Sequence, residues 1–236
     1  MPRHRQAEGK PDSLALLCCV LAAVGCAPRL VQAQGGVDVT AAPAIVSEYV
    51  VRGMSLSRGR PAPQLRLDLD AGNWYAGVLA SRVRYPYAEP NTQVLAYGGY
   101  ARRMDSGLSW EAGALHSSFT TDGAYRYHEL YAGLAGDRLA GRIYYSPSYY
   151  GDASTVYAEL NGNVPLRDGL ALLGHLGVLH PLGSAEDEAR RRVDLRVGLS
   201  FDSGGWNLQV ALLGNLPRRH GDEAPRAVQV SVSYGF

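Results

Sequence analysis

Residues 193–201 read Val-Asp-Leu-Arg-Val-Gly-Leu-Ser-Phe, a strict alternation of apolar with polar or small side chains. Successive side chains of a strand point to opposite faces. Val193, Leu195, Val197, Leu199 and Phe201 therefore share one face, and Asp194, Arg196, Gly198 and Ser200 the other. Leu65, Leu67 and Leu69 alternate in the same way with Arg66, Asp68 and Asp70, and the final stretch "VQVSVSYGF" repeats the pattern. From Ala42 onward no helical stripe interrupts it. Twelve strand-like segments follow one another: 42–53, 63–70, 74–82, 92–102, 108–116, 127–135, 138–146, 154–164, 169–180, 193–202, 206–215 and 227–236. Two of them, 74–82 and 92–102, alternate poorly and leave their register open.

Five connections are short and rich in Asp, Asn and Gly, as tight hairpins require: 71–73, 103–107, 136–137, 165–168 and 203–205. Longer ones such as "MSLSRGRPA", "VRYPYAEPN" and "PLGSAEDEARRR" fall between them, so short and long connections lie at opposite ends. A soluble sandwich has no reason to sort its loops this way. The segments run from eight to twelve residues, close to what crosses hydrocarbon at a tilt. Unpaired backbone groups in lipid are costly, so a sheet that crosses a bilayer has to close. The expected fold is all-β: a closed antiparallel transmembrane β-barrel of about twelve strands over residues 34–236. Its last strand would be an interior member of the ring, with Phe236 at a membrane edge. A soluble β-sandwich or lipocalin-like domain is the alternative.

Residues 1–33 stand apart. "MPRHRQAEGK" is basic, "SLALLCCVLAAVG" is an apolar run of signal-peptide length, and "VQA" precedes Gln34, the pattern of a secretory signal cleaved after Ala33. As a membrane anchor the run is too short. Lipoprotein processing at Cys26, within "AVGC", is the other reading. All three cysteines (Cys18, Cys19, Cys26) and the single lysine, Lys10, lie in this leader. The remaining chain has no disulfide to staple it, and its 19 Arg against 20 acidic residues lack the basic surplus of a nucleic-acid binder.

Followed inward, the polar faces collect Glu48, Arg52, Arg66, Asp68, Glu111, Glu129, Arg142, Glu159, Asp194 and Arg196, with Gln209 and Gln229. In a dry core such charges are costly unless paired, whereas a hydrated lumen with acid–arginine pairs tolerates them. These ten charged residues are the candidate pore lining, suited to passive diffusion of small polar or charged solutes. A closed structural scaffold would use the same charges as filler. Tyr49, Trp74, Tyr75, Trp110, Tyr127, Tyr145, Trp206 and Tyr234 sit near strand ends, as an interfacial girdle would. His116 and His128 flank Ser117 and Ser118, which leaves a lipid or ester hydrolase as a further alternative. No GxSxG, HExxH, CxxC or P-loop supports one, however, and neither enzyme activity nor a cofactor or metal is expected. The tyrosine-rich "YYSPSYYGD" (144–152) reads as a sugar-binding patch or a rigid outer loop.

The stretches "VSEYVVRGMSLSRGRPAPQ" (46–64), "WYAGVLAS" (74–81), "HELYAGLAG" (128–136), "YYSPSYYG" (144–151), "YAELNGNVPL" (157–166) and "VSVSYGF" (230–236) occur in that order. Together they resemble a bacterial family of outer-membrane porins labelled TorF-like. The likeness runs over residues 38–236. Members usually read Ser-Asp-Tyr where this chain has Ser47-Glu48-Tyr49, and "GSAEDEARRR" is locally unusual. Glu48, Tyr49, Arg52, Gly53, Ser55 and Ser57 carry the first motif; Ser146, Pro147, Tyr149 and Gly151 carry the loop motif. The resemblance implies an outer-membrane location and a channel without an established substrate, and it supplies no catalytic residues; the even strand count returns both termini to one side, expected to be the periplasm. The partners expected of such a barrel are outer-membrane lipid and lipopolysaccharide, the barrel-assembly machinery during insertion, and small polar solutes.

Overall fold

The structure is a computed structural model that describes residues 36–84, 91–121, 123–151, 153–183, 191–216 and 227–236. The signal reading of residues 1–33, with its Cys26 alternative, lies outside the described residues. Twelve wall strands close into one antiparallel barrel. They are β1 (Asp38–Val46), β4 (Ala62–Ala71), β5 (Trp74–Val83), β6 (Asn91–Arg103), β7 (Ser109–Phe119), β8 (Tyr127–Ala135), β9 (Leu139–Ser146), β10 (Ser154–Arg167), β11 (Leu170–Leu182), β12 (Arg192–Ser203), β13 (Trp206–Leu216) and β14 (Val228–Tyr234). Each pairs with its neighbour in the chain, and β1 closes the ring against β14 through Ala44↔Ser233, Ile45↔Val232 and Val46↔Ser231.

The alternation of β12 is realised as read. Val197, Leu199 and Phe201 are exposed on the outside and lie opposite Leu212, Val210 and Leu208 of β13, which are exposed as well. Leu65, Leu67 and Leu69 of β4 continue this outer apolar surface. Gln64, Arg66, Asp68, Glu111, Glu129, Ser200, Gln209 and Gln229 are buried on the inside. Soluble monomers rarely expose so large an apolar surface, and an apolar outside around a polar inside is the arrangement of a transmembrane barrel.

β5 and β6 alternate poorly in sequence because their inward positions mix tyrosines and glycines with apolar Leu79, Val83, Leu95 and Ala101. Tyr75 lies opposite Gly99, Tyr97 opposite Gly77, and, between β7 and β8, Tyr131 opposite Gly113. A methyl on Gly99 would stand 2.6 Å from the Tyr75 hydroxyl, and methyls on Gly77 and Gly113 would collide with the Tyr97 and Tyr131 rings. Each phenol ring therefore lies over the gap left by a glycine across the ladder. A chain with 28 Gly and 15 Tyr uses both in this way.

The segment 42–53 is not one strand. Wall strand β1 ends at Val46, and the chain then leaves the wall to form a small hairpin of β2 (Val50–Val51) with β3 (Met54–Ser55). Arg52 and Gly53, at φ 48° and 73°, are the two turn residues, the pair of positive values that a tight two-residue hairpin requires. Arg58 and Gly59 repeat this at φ 54° and 67°, so both Arg-Gly pairs of "VVRGMSLSRG" reverse the chain. At the other end, β10 runs past Pro165 to Arg167 with a register shift between them, as expected where a ladder residue lacks its N–H.

The girdle forms on the short-turn side. Trp74 and Trp206 are exposed. Tyr100 packs against Trp74 and Trp110 with centroids 5.0 and 5.5 Å apart, and Tyr234 packs against Trp206 and Phe236 at 4.9 and 4.8 Å. Tyr145 is outward and exposed near the opposite rim. Tyr49, Tyr75 and Tyr127 do not belong to the girdle. Tyr49 and Tyr127 are buried, and Tyr75 points inward to a carboxylate. The reason is parity: Tyr75 follows outward Trp74 by one residue and so must face in.

Candidate pore interior

Residues 47–61, the long connection between β1 and β4, fold into the barrel mouth. Their backbone is held by the short polar side chains of the motif. Ser57 Oγ accepts from Tyr49 N at 2.9 Å and donates to Arg60 O at 2.7 Å, while Gly59 N donates to Glu48 Oε1 at 3.1 Å. On the wall, Gln229 Nε2 donates to Glu48 O at 2.7 Å and Asn215 Nδ2 to Gly53 O at 3.1 Å. An apolar cluster of Val46, Tyr49, Leu56, Ala62, Val83 and Phe119 seats the connection. Burial pushes the Tyr49 phenol well above its ordinary value, with Tyr149 adding to the shift.

The tip of this loop is Arg52. Its Nη1 and Nη2 donate to Glu129 Oε1 and Oε2 at 2.7 and 2.6 Å, a two-pronged ion pair from the loop to β8. The guanidinium carbon lies 4.3 Å from the Tyr157 ring centre and 5.0 Å from both the Tyr144 and the Tyr149 centres. Burial opposes the charge of Arg52, but Tyr149 and Glu129 outweigh it and hold the group above the ordinary arginine value. Tyr149 itself, in the connection after β9, is pushed up by burial despite Arg52. Two motifs nearly a hundred residues apart, Arg-Gly at 52–53 and Tyr-Tyr-Gly at 149–151, thus meet in the lumen.

Below the loop, β4 to β9 carry a dense polar network. Tyr75 donates to Glu111 at 2.7 Å and shares a hydrogen bond with Tyr131 at 2.7 Å; Arg142 Nε donates to Glu111 Oε1 at 2.7 Å and Nη1 to Tyr144 at 2.9 Å. Tyr144 in turn donates to Glu159 at 3.0 Å. Arg66 pairs with Asp68 at 2.9 Å, and Tyr97 donates to Asp68. A cavity of about 400 Å³ is also open there, with Arg52, Glu159, His175, Asp194, Arg196 and Gln209 among its walls along β10 to β13 and Gln93, Leu115, Glu129 and Tyr144 of β6 to β9 lining it as well. Here His175 Nε2 meets Asp194 Oδ2 and Nδ1 meets Asn161 Oδ1, both at 2.7 Å. Tyr157 donates to Asp194 at 3.0 Å, and Arg196 to Gln209 at 2.8 Å.

Of the ten charged residues read from the sequence, Arg66, Asp68, Glu111, Glu129, Arg142, Glu159, Asp194 and Arg196 sit on inward positions of wall strands. Glu48 and Arg52 are on the infolded loop rather than on a strand, because the chain leaves the wall after Val46. Tyr144, Tyr157 and His175 complete the networks. Tyr157 shares the parity of Glu159, and His175 that of inward Gly177, so alternation alone points to them. Tyr149 has no such signal. Within the tyrosine-rich stretch Tyr149 turns inward, buried against Tyr127, at 4.8 Å, and Arg52, while Tyr145 is exposed on the outer face. The serine–histidine grouping does not assemble either. His116 and His128 are exposed and opposite each other on the outer face, whereas Ser117 is buried inside and hydrogen-bonded to Gln93 at 2.8 Å. Among the described residues no cluster suited to a metal ion occurs.

The family described as "Bacterial protein of unknown function (Gcw_chp)" matches residues 31–217. The chain belongs to this family. No curated protein matches it. Among solved structures it is similar to the KdgM porin, at a TM-score of 0.56 and 12% identity over 84% of this chain and 99% of that one. A KdgM porin in complex with disordered oligogalacturonate matches at a TM-score of 0.54, with 12% identity over 84% and 99% of the two chains. The Gcw_chp chain therefore has a porin-like barrel fold.

Proposed function

We propose that this Gcw_chp protein is an outer-membrane porin through which small polar solutes diffuse along the β10–β13 side of the lumen, past the infolded loop. The observation that carries this reading is the open cavity of about 400 Å³ inside a closed barrel with an apolar outside. A space of that size suits a sugar-sized solute. The KdgM structure that holds oligogalacturonate supports a cargo of that scale, and the TorF-like porin resemblance belongs to the same proposal. Arg52, Arg66 and Arg142 each face a carboxylate of their own, which cancels much of the lumen charge and favours neutral or weakly charged solutes over ions. In this reading the short turns and both termini face the periplasm, and lipid and lipopolysaccharide surround the apolar band. Passage requires no chemical step.

Swelling of proteoliposomes in isotonic solutions of neutral sugars of increasing size tests it. Faster swelling with mono- than with trisaccharides supports a narrow pore. Swelling no faster than that of protein-free vesicles refutes it, and would favour the second reading, a closed scaffold, for which the tightly bonded β4–β9 half and the docked loop already speak.

A further inference from the structure

The setting of Arg52 holds more than a constriction needs. A side chain that only narrows a channel could stand free in water, yet this guanidinium is enclosed by the faces of Tyr144, Tyr149 and Tyr157, at 4.3 to 5.0 Å, and gripped by both oxygens of Glu129. Aromatic faces together with a two-pronged carboxylate are the chemistry that recognises a planar organic cation. The occupant is held at a cost, because Arg52 is a non-glycine residue at φ 48°, where an L side chain is disfavoured. The hairpin that carries Arg52 is short, two residue pairs between β2 and β3, and the bonds that hold the rest of the loop fall mainly on Glu48, Tyr49, Leu56, Ser57 and Gly59, to either side of it. The enclosure also borders the open cavity, since Arg52, Glu129, Tyr144 and Tyr157 all line it.

We propose that Tyr144, Tyr149, Tyr157 and Glu129 form a binding site for guanidinium-bearing organic cations, which Arg52 fills from within the chain and which an external guanidinium compound takes over from the adjoining cavity. The inference goes beyond the porin reading and does not depend on it, because occupancy is measured without any passage of solute. An external ligand of the wild-type protein has to displace Arg52, so its apparent affinity is reduced by the fraction of time the site is vacated.

Binding of methylguanidinium to the folded barrel in detergent is the test, measured by calorimetry, with sodium and methylammonium at matched ionic strength as controls. Arg52→Ala is expected to bind methylguanidinium about tenfold or more tighter than wild type. Adding Glu129→Gln or Tyr157→Leu to Arg52→Ala is expected to abolish that gain. Retention of heat-modifiable gel migration certifies the fold of each variant. In the wild-type barrel, millimolar methylguanidinium is expected to speed amide exchange across residues 50–55, a readout that needs no variant. The proposal is overturned if folded Arg52→Ala binds methylguanidinium no tighter than wild type, if methylammonium binds equally well, or if the ligand leaves exchange at 50–55 unchanged.

Discussion

Replacing Glu129 by glutamine removes the charge that holds the infolded loop while keeping the side chain's size. Both partners are desolvated, with side chains 8% and 1% exposed for Arg52 and Glu129. Losing one partner of a buried pair costs roughly 3–5 kcal/mol, because the other charge stays buried and uncompensated. Two things reduce that here. The introduced amide would still offer one acceptor oxygen, and three tyrosine faces remain around the cation, each worth roughly 0.5–2 kcal/mol. A net loss of about 2–3 kcal/mol for the docked loop follows, or roughly a 30- to 150-fold shift toward the undocked state. The wall hydrogen bonds do not involve this pair, so the barrel should persist. Hydrogen exchange read by mass spectrometry in detergent separates the two. Exchange at 50–57 should accelerate by about that factor, while β4 to β14 keep their protection. Exchange at 50–57 within twofold of wild type, in a folded variant, would show that Arg52 does not hold the loop.

Three further perturbations test other parts of the structure. Gly113→Ala should lower the temperature at which the barrel loses its compact gel migration, by overpacking worth about 1–3 kcal/mol, and Gly113→Ala with Tyr131→Ala should recover part of the loss. Val197→Arg, on the outer face of β12, should cost about 2–4 kcal/mol of refolding stability in lipid vesicles by urea titration; a soluble β-protein would tolerate the change. Tyr49 and Tyr149 keep raised pKa values in the folded loop, whereas an unfolded phenol ionises near about 10. Their stabilising contribution is therefore full below about pH 10 and declines above it, as the unfolded phenols ionise first. Phenolate absorbance at alkaline pH should rise later for the wild-type barrel than for the urea-unfolded chain, and Tyr49→Phe should remove part of the difference.

What was legible in the sequence depended on whether side-chain parity carried contrast. Across residues 193–201 of β12 every inward residue is polar or small and every outward one apolar, so strand, register and faces could all be read. β5 and β6 gave the same geometry no voice. Their inward positions mix Tyr75, Gly77, Tyr97 and Gly99 with apolar Leu79, Val83, Leu95 and Ala101, so the inside does not register as polar against the outside. Closeness to a strand end misplaced Tyr75 and Tyr127 in the girdle, where parity would have placed them inside. The first loop was hidden for another reason: "SEYVVRG" continues the β-branched and aromatic character of β1, and a left-handed arginine at position 52 leaves no compositional mark. Glu48 and Arg52 were thus read as inward residues of a strand when they stand on a loop. The pairing of Arg52 with Tyr149 joins two connections across the lumen, and only the closed ring brings those together.

Single-channel recording of the refolded barrel in planar bilayers tests most directly whether the lumen is open. Wild type should give small, stable steps with weak ion selectivity, because most of the lumen charge is paired. Arg52→Ala should enlarge the steps and move selectivity toward cations, and Glu159→Ala, at the edge of the cavity, should move it toward anions. Electrically silent bilayers from a correctly folded barrel, with Arg52→Ala equally silent, would contradict an open pore.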